Sequence, residues 1–214
     1  MKTVFPSHTP VVWPVQGSAE GFPVRRVFCV GKNYADHVVE MGGDVAKSEP
    51  IFFTKSAHCL VRSGGPVRYP AATSDLHHEV ELVVCMGPEG IWGHAVGIDL
   101  TRRDLQAVAK AKGRPWDRSK SFPDSAPMGV IAQGRVDAGA RIRLSVNGVE
   151  RQNSTLAHMI WNVGDIVARL RADMDLQAGD VVFTGTPAGV GAVERGDVMR
   201  AEVDGLPVLE VGVV

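Results

Sequence analysis

The stretch LHHEVELVV, Leu76 to Val84, sets two glutamates in a run of aliphatic and β-branched residues. Val80, Leu82, Val83 and Val84 have the character of a buried strand, and successive strand side chains point to opposite faces, so Glu79 and Glu81 share one. At strand rise the two carboxylates stand about 7 Å apart, and burying both is costly unless a cation or hydrogen-bond donors neutralise them. An E-x-E pair on a solvated strand face is ordinary and needs no ligand. The continuation ELVVCMG, however, reads as the interior of a sheet, so a metal site has to be weighed.

Working outward, RRVFCVG reads as a short buried strand running into KNYADHVVEMGG, a helical turn ended by a double glycine. IFFTKSAHCLV is strand-like, and IWGHAVGIDL is a further apolar strand with Asp99 near its end. TRRDLQAVAKAKG carries a capping pattern at Thr101 and Asp104, apolar Leu105, Val108 and Ala109, and a stop at Gly113; a second helix is expected from Leu156 to Leu170. RIRLSVNGVERQ and AEVDGLPVLEV read as hairpins turning at Asn147-Gly148 and Asp204-Gly205. Many short strands with few helices predict an α+β, mainly β domain, closed as a roll or barrel-like sandwich. Residues 1–24, rich in proline and without an apolar leader, read as an extended N-terminal arm before a single domain at 25–214.

With 23 basic against 24 acidic residues, the chain has no basic field for nucleic acid or anionic lipid, and no run is long enough to span a bilayer. Cys29, Cys59 and Cys85 stand singly in apolar surroundings, which argues against a disulfide framework or a cysteine zinc site and suits a reducing cytoplasm.

Asp99 offers a third carboxylate to the pocket of Glu79 and Glu81, and three oxygen ligands suit a hard cation, Mg²⁺ or Mn²⁺. By alternation His77 shares the glutamate face, which would admit an imidazole-binding metal; His78 fits a polar strand entry. His37 and Glu40, three apart on a helical turn, form a base with its orienting acid, although a single His/Glu pair is more often a surface feature. Arg103, Gln106 and Lys110 share a helix face and Lys120 follows in GRPWDRSKSF; cations beside a metal would hold an anionic substrate and a developing oxyanion. FTGTPAGVG, residues 183–191, could present Thr184, Thr186 and backbone N–H groups to a carboxylate, and it lacks the ending of a phosphate loop.

Taken in order, CVGKNYADHVVEM, HHEVELVV, GIDLTRRDLQ, GRPWDRSKSF and FTGTPAGVG resemble the fumarylacetoacetate hydrolase family, in particular its short members acting on acylpyruvates. The resemblance runs from about Arg25 to the C-terminus. It implies a mixed β-roll, a homodimer and one Mg²⁺ or Mn²⁺ per subunit held by Glu79, Glu81 and Asp99. It further implies water activation by His37 and Glu40, a catalytic Lys120 beside the metal, and substrate contacts from Arg103, Gln106 and Thr186. The implied reaction is hydrolysis of the carbon–carbon bond of a 2,4-dioxo acid, with fumarylpyruvate giving fumarate and pyruvate, as in gentisate-type aromatic breakdown. Two departures stand out: only GPEG links Met86 to Ile91 where relatives usually carry a short helical segment, and Ser56 follows the lysine of FTK where proline is common. Decarboxylation of oxaloacetate or isomerisation of a hydroxymuconate would use the same metal-stabilised enolate without activating water. A non-catalytic metal- or anion-binding domain would need only the carboxylates.

Overall fold

Strand Val80–Gly87 runs through the middle of an eight-stranded sheet, buried on both faces. The computed structural model describes residues 3–6, 8–42 and 50–214. Across that sheet lie Ile51–Lys55, Val27–Gly31, Val181–Phe183, Val80–Gly87, Gly90–Ile98, Ala126–Met128 and Leu60–Arg62, with Ala132–Gln133 also paired to Gly90–Ile98. Val181–Phe183 is parallel to Val27–Gly31 and Ala126–Met128 is parallel to Leu60–Arg62, while the central pairings are antiparallel, so the sheet is mixed. Val80, Leu82, Val84 and Met86 point into the main core. Val83 and Cys85 point the other way, into a second cluster with Trp13, Phe22, Val24 and Phe183. A strand covered on both sides has no solvent face to make polar, hence the unbroken apolar run after Glu81. The two glutamates occupy the Val83 side at the point where packed core gives way to a cavity.

A second sheet, ordered Val149–Thr155, Arg141–Val146, Val198–Val203, Leu209–Val213 and Pro66–Val67, covers the main core with alternating residues such as Ile142, Leu144, Met199, Ala201 and Val211. Its first hairpin turns at Asn147 and Gly148, both at positive φ (51° and 77°), the twist a two-residue turn requires. Two large packed sheets, a two-stranded and a three-stranded one beside them, and four short α-helices among the described residues make the mainly β, α+β roll expected from the sequence. Within the N-terminal 24 residues, Val11–Trp13 and Phe22–Val24 pair antiparallel, and Trp13 Nε1 donates to the Gly129 carbonyl at 2.8 Å. The second glycine after the first helix, Gly43, lies outside the described residues.

Two expectations are corrected. The helix expected at Leu156–Leu170 is instead a 3₁₀ turn, Leu156–His158, followed by an α-helix, Val163–Met174. Asn162 breaks the run because its side chain accepts from the Asp165 N–H and starts the helix afresh. The helix placed after Thr101 begins at Arg103, because Thr101 pairs with His77 in a short strand and gives its hydroxyl to the Asp99 carbonyl. Asp104 lies within the first turn, where it accepts from the Leu105 N–H and from the Thr73 hydroxyl, and the cap residue Arg102 makes no side-chain capping bond. Strands Val80–Gly87 and Gly90–Ile98 pair through to Gly87 and Gly90, so the GPEG link closes as a tight hairpin. No helix among the described residues is long and apolar enough to cross a membrane.

Candidate active site

Strand register builds the carboxylate cluster. Val80 pairs with Ile98 and Glu81 with Gly97, and the Asp99 N–H donates to the Glu79 carbonyl at 2.8 Å, so Asp99 stands directly across from Glu79. Residues opposite one another on antiparallel strands face the same side, which brings Asp99 to the face of the E-x-E pair. Ligand atoms of Glu79, Glu81 and Asp99 all lie within 4.8 Å of one another, and all three residues are buried.

Cations answer these charges unevenly. Lys120 Nζ sits 2.7 Å from Glu79 Oε2 and 2.6 Å from Asp99 Oδ2, and Arg103 Nη2 is 2.5 Å from Glu79 Oε1. Lys55, fully buried, donates to the Leu100 and Lys120 carbonyls and lies 2.8 Å from Asp99 Oδ1 as an ion pair, off the line of a hydrogen bond. Burial works against the Glu79 charge, yet Lys120 and Arg103 outweigh it and hold this carboxyl well below the usual carboxylate range. Burial also opposes the Lys120 charge, and Asp99 and Glu79 overcome it, so the ammonium is pushed up to about 12. Lys120 is therefore a cation and hydrogen-bond donor at neutral pH, not a base. Glu81 is the exception: burial, then the charges of Asp99 and Glu79, push its carboxyl well above the ordinary value, against Lys120 and the Gly185 N–H that it accepts at 2.7 Å.

A divalent cation would supply the countercharge that Glu81 lacks. The donor set is three carboxylates with no thiolate, and it includes Asp99 Oδ1, a buried acceptor without an aligned donor. Such oxygens fit Mg²⁺ or Mn²⁺. His77 stands outside this set: its Nε2–H donates to Asp75 at 2.8 Å and its Nδ1 accepts from Arg103 at 3.3 Å, so both ring nitrogens are engaged. The face-sharing inferred from alternation fails because Leu76–His78 and Val80–Gly87 are separate strands in different sheets, with a break at Glu79.

His37 approaches the cluster from the helix Ala35–Glu40, where its Nδ1 lies 3.2 Å from Glu40 Oε2. A carboxylate accepts, so Nδ1 carries the proton of this contact, and the neutral imidazole then keeps its lone pair on Nε2. The other Glu40 oxygen accepts from the Gly189 N–H at 3.0 Å, tying the dyad to the TGTP loop. Asn33 fastens the preceding turn: its side chain donates to the Thr184 and Trp161 carbonyls and accepts from the Trp161 N–H, at 2.7, 3.0 and 2.8 Å. Thr184 is itself buried with its hydroxyl on the Leu82 carbonyl, so of the two loop threonines only Thr186 faces the site. Gln152 donates to Thr186 Oγ1 at 2.8 Å, leaving the Thr186 O–H to point elsewhere.

His37, Glu79, Glu81, Arg103, Gln106, Lys120 and Thr186 line one cavity of about 440 Å³; Asp99 lies behind it and Glu40 supports His37 from outside. The nine residues that the resemblance implies therefore gather in one place, whereas His77 and Thr184 stay outside it. Lys55, Asn33 and Gln152 were not singled out in the sequence. Lys55 carried a signal, a lone charge closing the apolar run IFFT, whereas Asn33 and Gln152 look like ordinary polar residues of a turn and an edge strand.

A model of the fumarylacetoacetate (FAA) hydrolase C-terminal family matches residues 26–214. A fumarylpyruvate hydrolase of a Ralstonia species is 44% identical, over 78% of this chain and 94% of that protein. An oxaloacetate tautomerase of Escherichia coli is 38% identical, over 89% of this chain and 93% of that one. Among solved structures, fumarylpyruvate hydrolase from Pseudomonas aeruginosa in complex with Mn²⁺ and pyruvate is 43% identical, with a TM-score of 0.96, covering 100% of this chain and 99% of that one.

Proposed function

This chain belongs to the fumarylacetoacetate hydrolase family, and from that premise we propose that it is a metal-dependent hydrolase cleaving the carbon–carbon bond of an acylpyruvate, fumarylpyruvate foremost. The observation that carries the reading is the meeting, in one cavity, of a free imidazole nitrogen with a buried cluster of carboxylates and cations. A structural metal site would need the carboxylates alone.

Glu79, Glu81 and Asp99 would hold Mg²⁺ or Mn²⁺, which supplies Lewis-acid stabilisation to the charge that develops on the substrate oxygens. Arg103, already bonded to Glu79 and, through Nη1, to Gln106 Oε1 at 2.6 Å, orients the 2-oxo acid end together with Gln106. Thr186, fed a hydrogen bond by Gln152, has its own O–H to give to the substrate carboxylate. His37 Nε2 takes a proton from water, and the resulting hydroxide adds to the 4-carbonyl carbon while Glu40 steadies the imidazolium. The C3–C4 bond then breaks, releasing the acid and the enolate of pyruvate. The Lys120 ammonium stabilises that enolate, and proton return to C3 completes pyruvate.

His37→Ala is expected to lower kcat at least about a hundredfold, the usual contribution of a positioned base, with Mn²⁺ affinity by calorimetry within twofold of wild type. Turnover surviving within a fewfold would remove His37 as the base. A second reading, tautomerase or decarboxylase action on oxaloacetate, is favoured by the 38%-identical E. coli relative. Decarboxylation needs the enolate stabilisers without activated water, so it would survive His37→Ala where hydrolysis would not.

The same reading makes the protein a cytoplasmic homodimer in gentisate-type aromatic breakdown, with residues 25–214 as catalytic unit behind an arm of residues 1–24. The family match at 26–214 supports the division, and three buried, unpaired thiols support a reducing compartment. Native mass spectrometry checks the assembly, which should weigh twice the 22.9 kDa chain.

A further inference from the structure

The cavity carries charge that the chemistry above does not use. Its walls include five cations, of which Arg103 and Lys120 are already held by Glu79 and Asp99. Lys32, Lys110 and Arg114 remain, and none of them makes an ion pair among the described residues. Glu79 and Glu81 are the only carboxylates among the described lining residues, and both belong to the metal end. The cavity is thus acidic where a metal would sit and basic where it opens.

Two observations show that this basic end is held in place. Lys110 stands with its ammonium 5.4 Å from the centre of the Trp116 ring, and partial burial, followed by the charge of Arg103 and, with Glu79 opposing, those of Lys120 and Lys32, lowers it from its ordinary value. Like charges gathered there repel until an anion arrives. Lys32 has φ of 63°, a left-handed conformation uncommon for a side chain longer than asparagine. The backbone cannot relax, because Asn33 beside it is fastened to Trp161 and Thr184 by its side chain and to the Ile160 N–H by its carbonyl. Glycine would take this conformation without strain, and the chain instead places an ammonium there.

Spacing agrees with a substrate charged at both ends. Arg103 and Lys110 stand seven residues apart on one face of the helix Arg103–Ala111, about 10 Å along its axis. A seven-carbon dioxo diacid extends roughly 8 Å between its carboxyl carbons at C–C bonds of about 1.5 Å. Other arginines fail the geometric test: Arg25 and Arg26 are committed to Asp180, and neither lines the cavity.

We propose that Lys32, Lys110 and Arg114 form a subsite for a second carboxylate at the acyl end of the substrate, selecting dianionic acylpyruvates over those with a neutral acyl group. The assignment rests on the acylpyruvate hydrolase reading and adds its specificity. Arg114, with its planar fork, takes the carboxylate in two parallel hydrogen bonds, and the lysines add charge from either side.

The test compares kcat/KM for fumarylpyruvate and for acetylpyruvate, which lacks the distal carboxylate, in the Mn²⁺-loaded wild type and in Arg114→Gln, Lys110→Gln and Lys32→Gly. Wild type should prefer fumarylpyruvate. Arg114→Gln should lose at least tenfold on it through KM, with acetylpyruvate held within twofold. Lys32→Gly keeps the left-handed turn without strain, so its melting temperature should not fall; it should lose several-fold on fumarylpyruvate alone. Equal losses on both substrates, or no loss on either, would overturn the subsite, as would a wild type indifferent to the distal charge while cleaving both. A wild type that cleaves neither would overturn the hydrolase reading and the subsite with it.

Discussion

Gln152 is a single side chain on which three parts of the site converge. Its amide nitrogen donates to Thr186 Oγ1 and the Pro187 carbonyl, and its amide oxygen accepts from the Val80 N–H and from His78 Nδ1. It is fully buried and every contact is satisfied. Gln152→Glu keeps the acceptor and loses both donors, so Thr186 turns its O–H inward. Raised KM for the acylpyruvate with a smaller change in kcat is expected, along with about 1–3 kcal/mol of lost stability in urea unfolding from the unmatched buried groups. Unchanged KM would show that Thr186 does not depend on this partner. None of this was legible in RIRLSVNGVERQ, because the partners of Gln152 lie 34 to 74 residues away, whereas an E-x-E pair declares its shared face locally. Lys55 escaped for the same reason: its meaning comes from Asp99 and the Lys120 carbonyl, not from its neighbours on the strand.

Elements matter here through register and through the loops that close on them. The antiparallel pairing of Val80–Gly87 with Gly90–Ile98 carries Asp99 to Glu79, and the turn after Val181–Phe183 carries N–H groups back to Glu81 and Glu40. Gly189 stands at φ of 93°, and a Cβ there would lie 2.2 Å from the Arg151 carbonyl oxygen, which is backbone and cannot step aside. Gly189→Ala should therefore shift the loop, release Glu40 and lower kcat at least tenfold while Mn²⁺ affinity holds; full activity would mean that the Glu40 anchor is dispensable. Strand and hairpin periodicity made most of this layout readable, including the turn at Asn147-Gly148. Helix limits were less so. Asn162 interrupts an apolar pattern that otherwise runs on from Leu156, and its capping bond to Asp165 is a local choice that periodicity alone does not reveal. Likewise, alternation carried His77 onto the glutamate face only by assuming one continuous strand through Glu79.

At the level of the whole molecule, burial sets how stability responds to acid. His78 and His94 are both lowered from the ordinary histidine value, in each case chiefly by burial, and each donates from Nδ1, to Gln152 Oε1 and to the Gly134 carbonyl at 3.0 and 2.9 Å. The unfolded chain binds their protons more readily, so their contribution is fully present above about pH 6.5 and is lost as pH falls below it toward the folded values. Unfolding free energy should therefore drop between pH 7 and 5, and His94→Gln should flatten that slope; an unaltered slope would show that His94 is not among the groups responsible. The family match from residue 26 to 214 and the 0.96 TM-score establish the architecture, so the central claim is chemical. The most direct test follows the ultraviolet absorbance of enolised fumarylpyruvate with purified protein and Mg²⁺ or Mn²⁺, with products identified with and without chelator. Metal-dependent loss yielding fumarate and pyruvate in equal amounts is expected. No cleavage of fumarylpyruvate, with oxaloacetate instead tautomerised or decarboxylated, would contradict it.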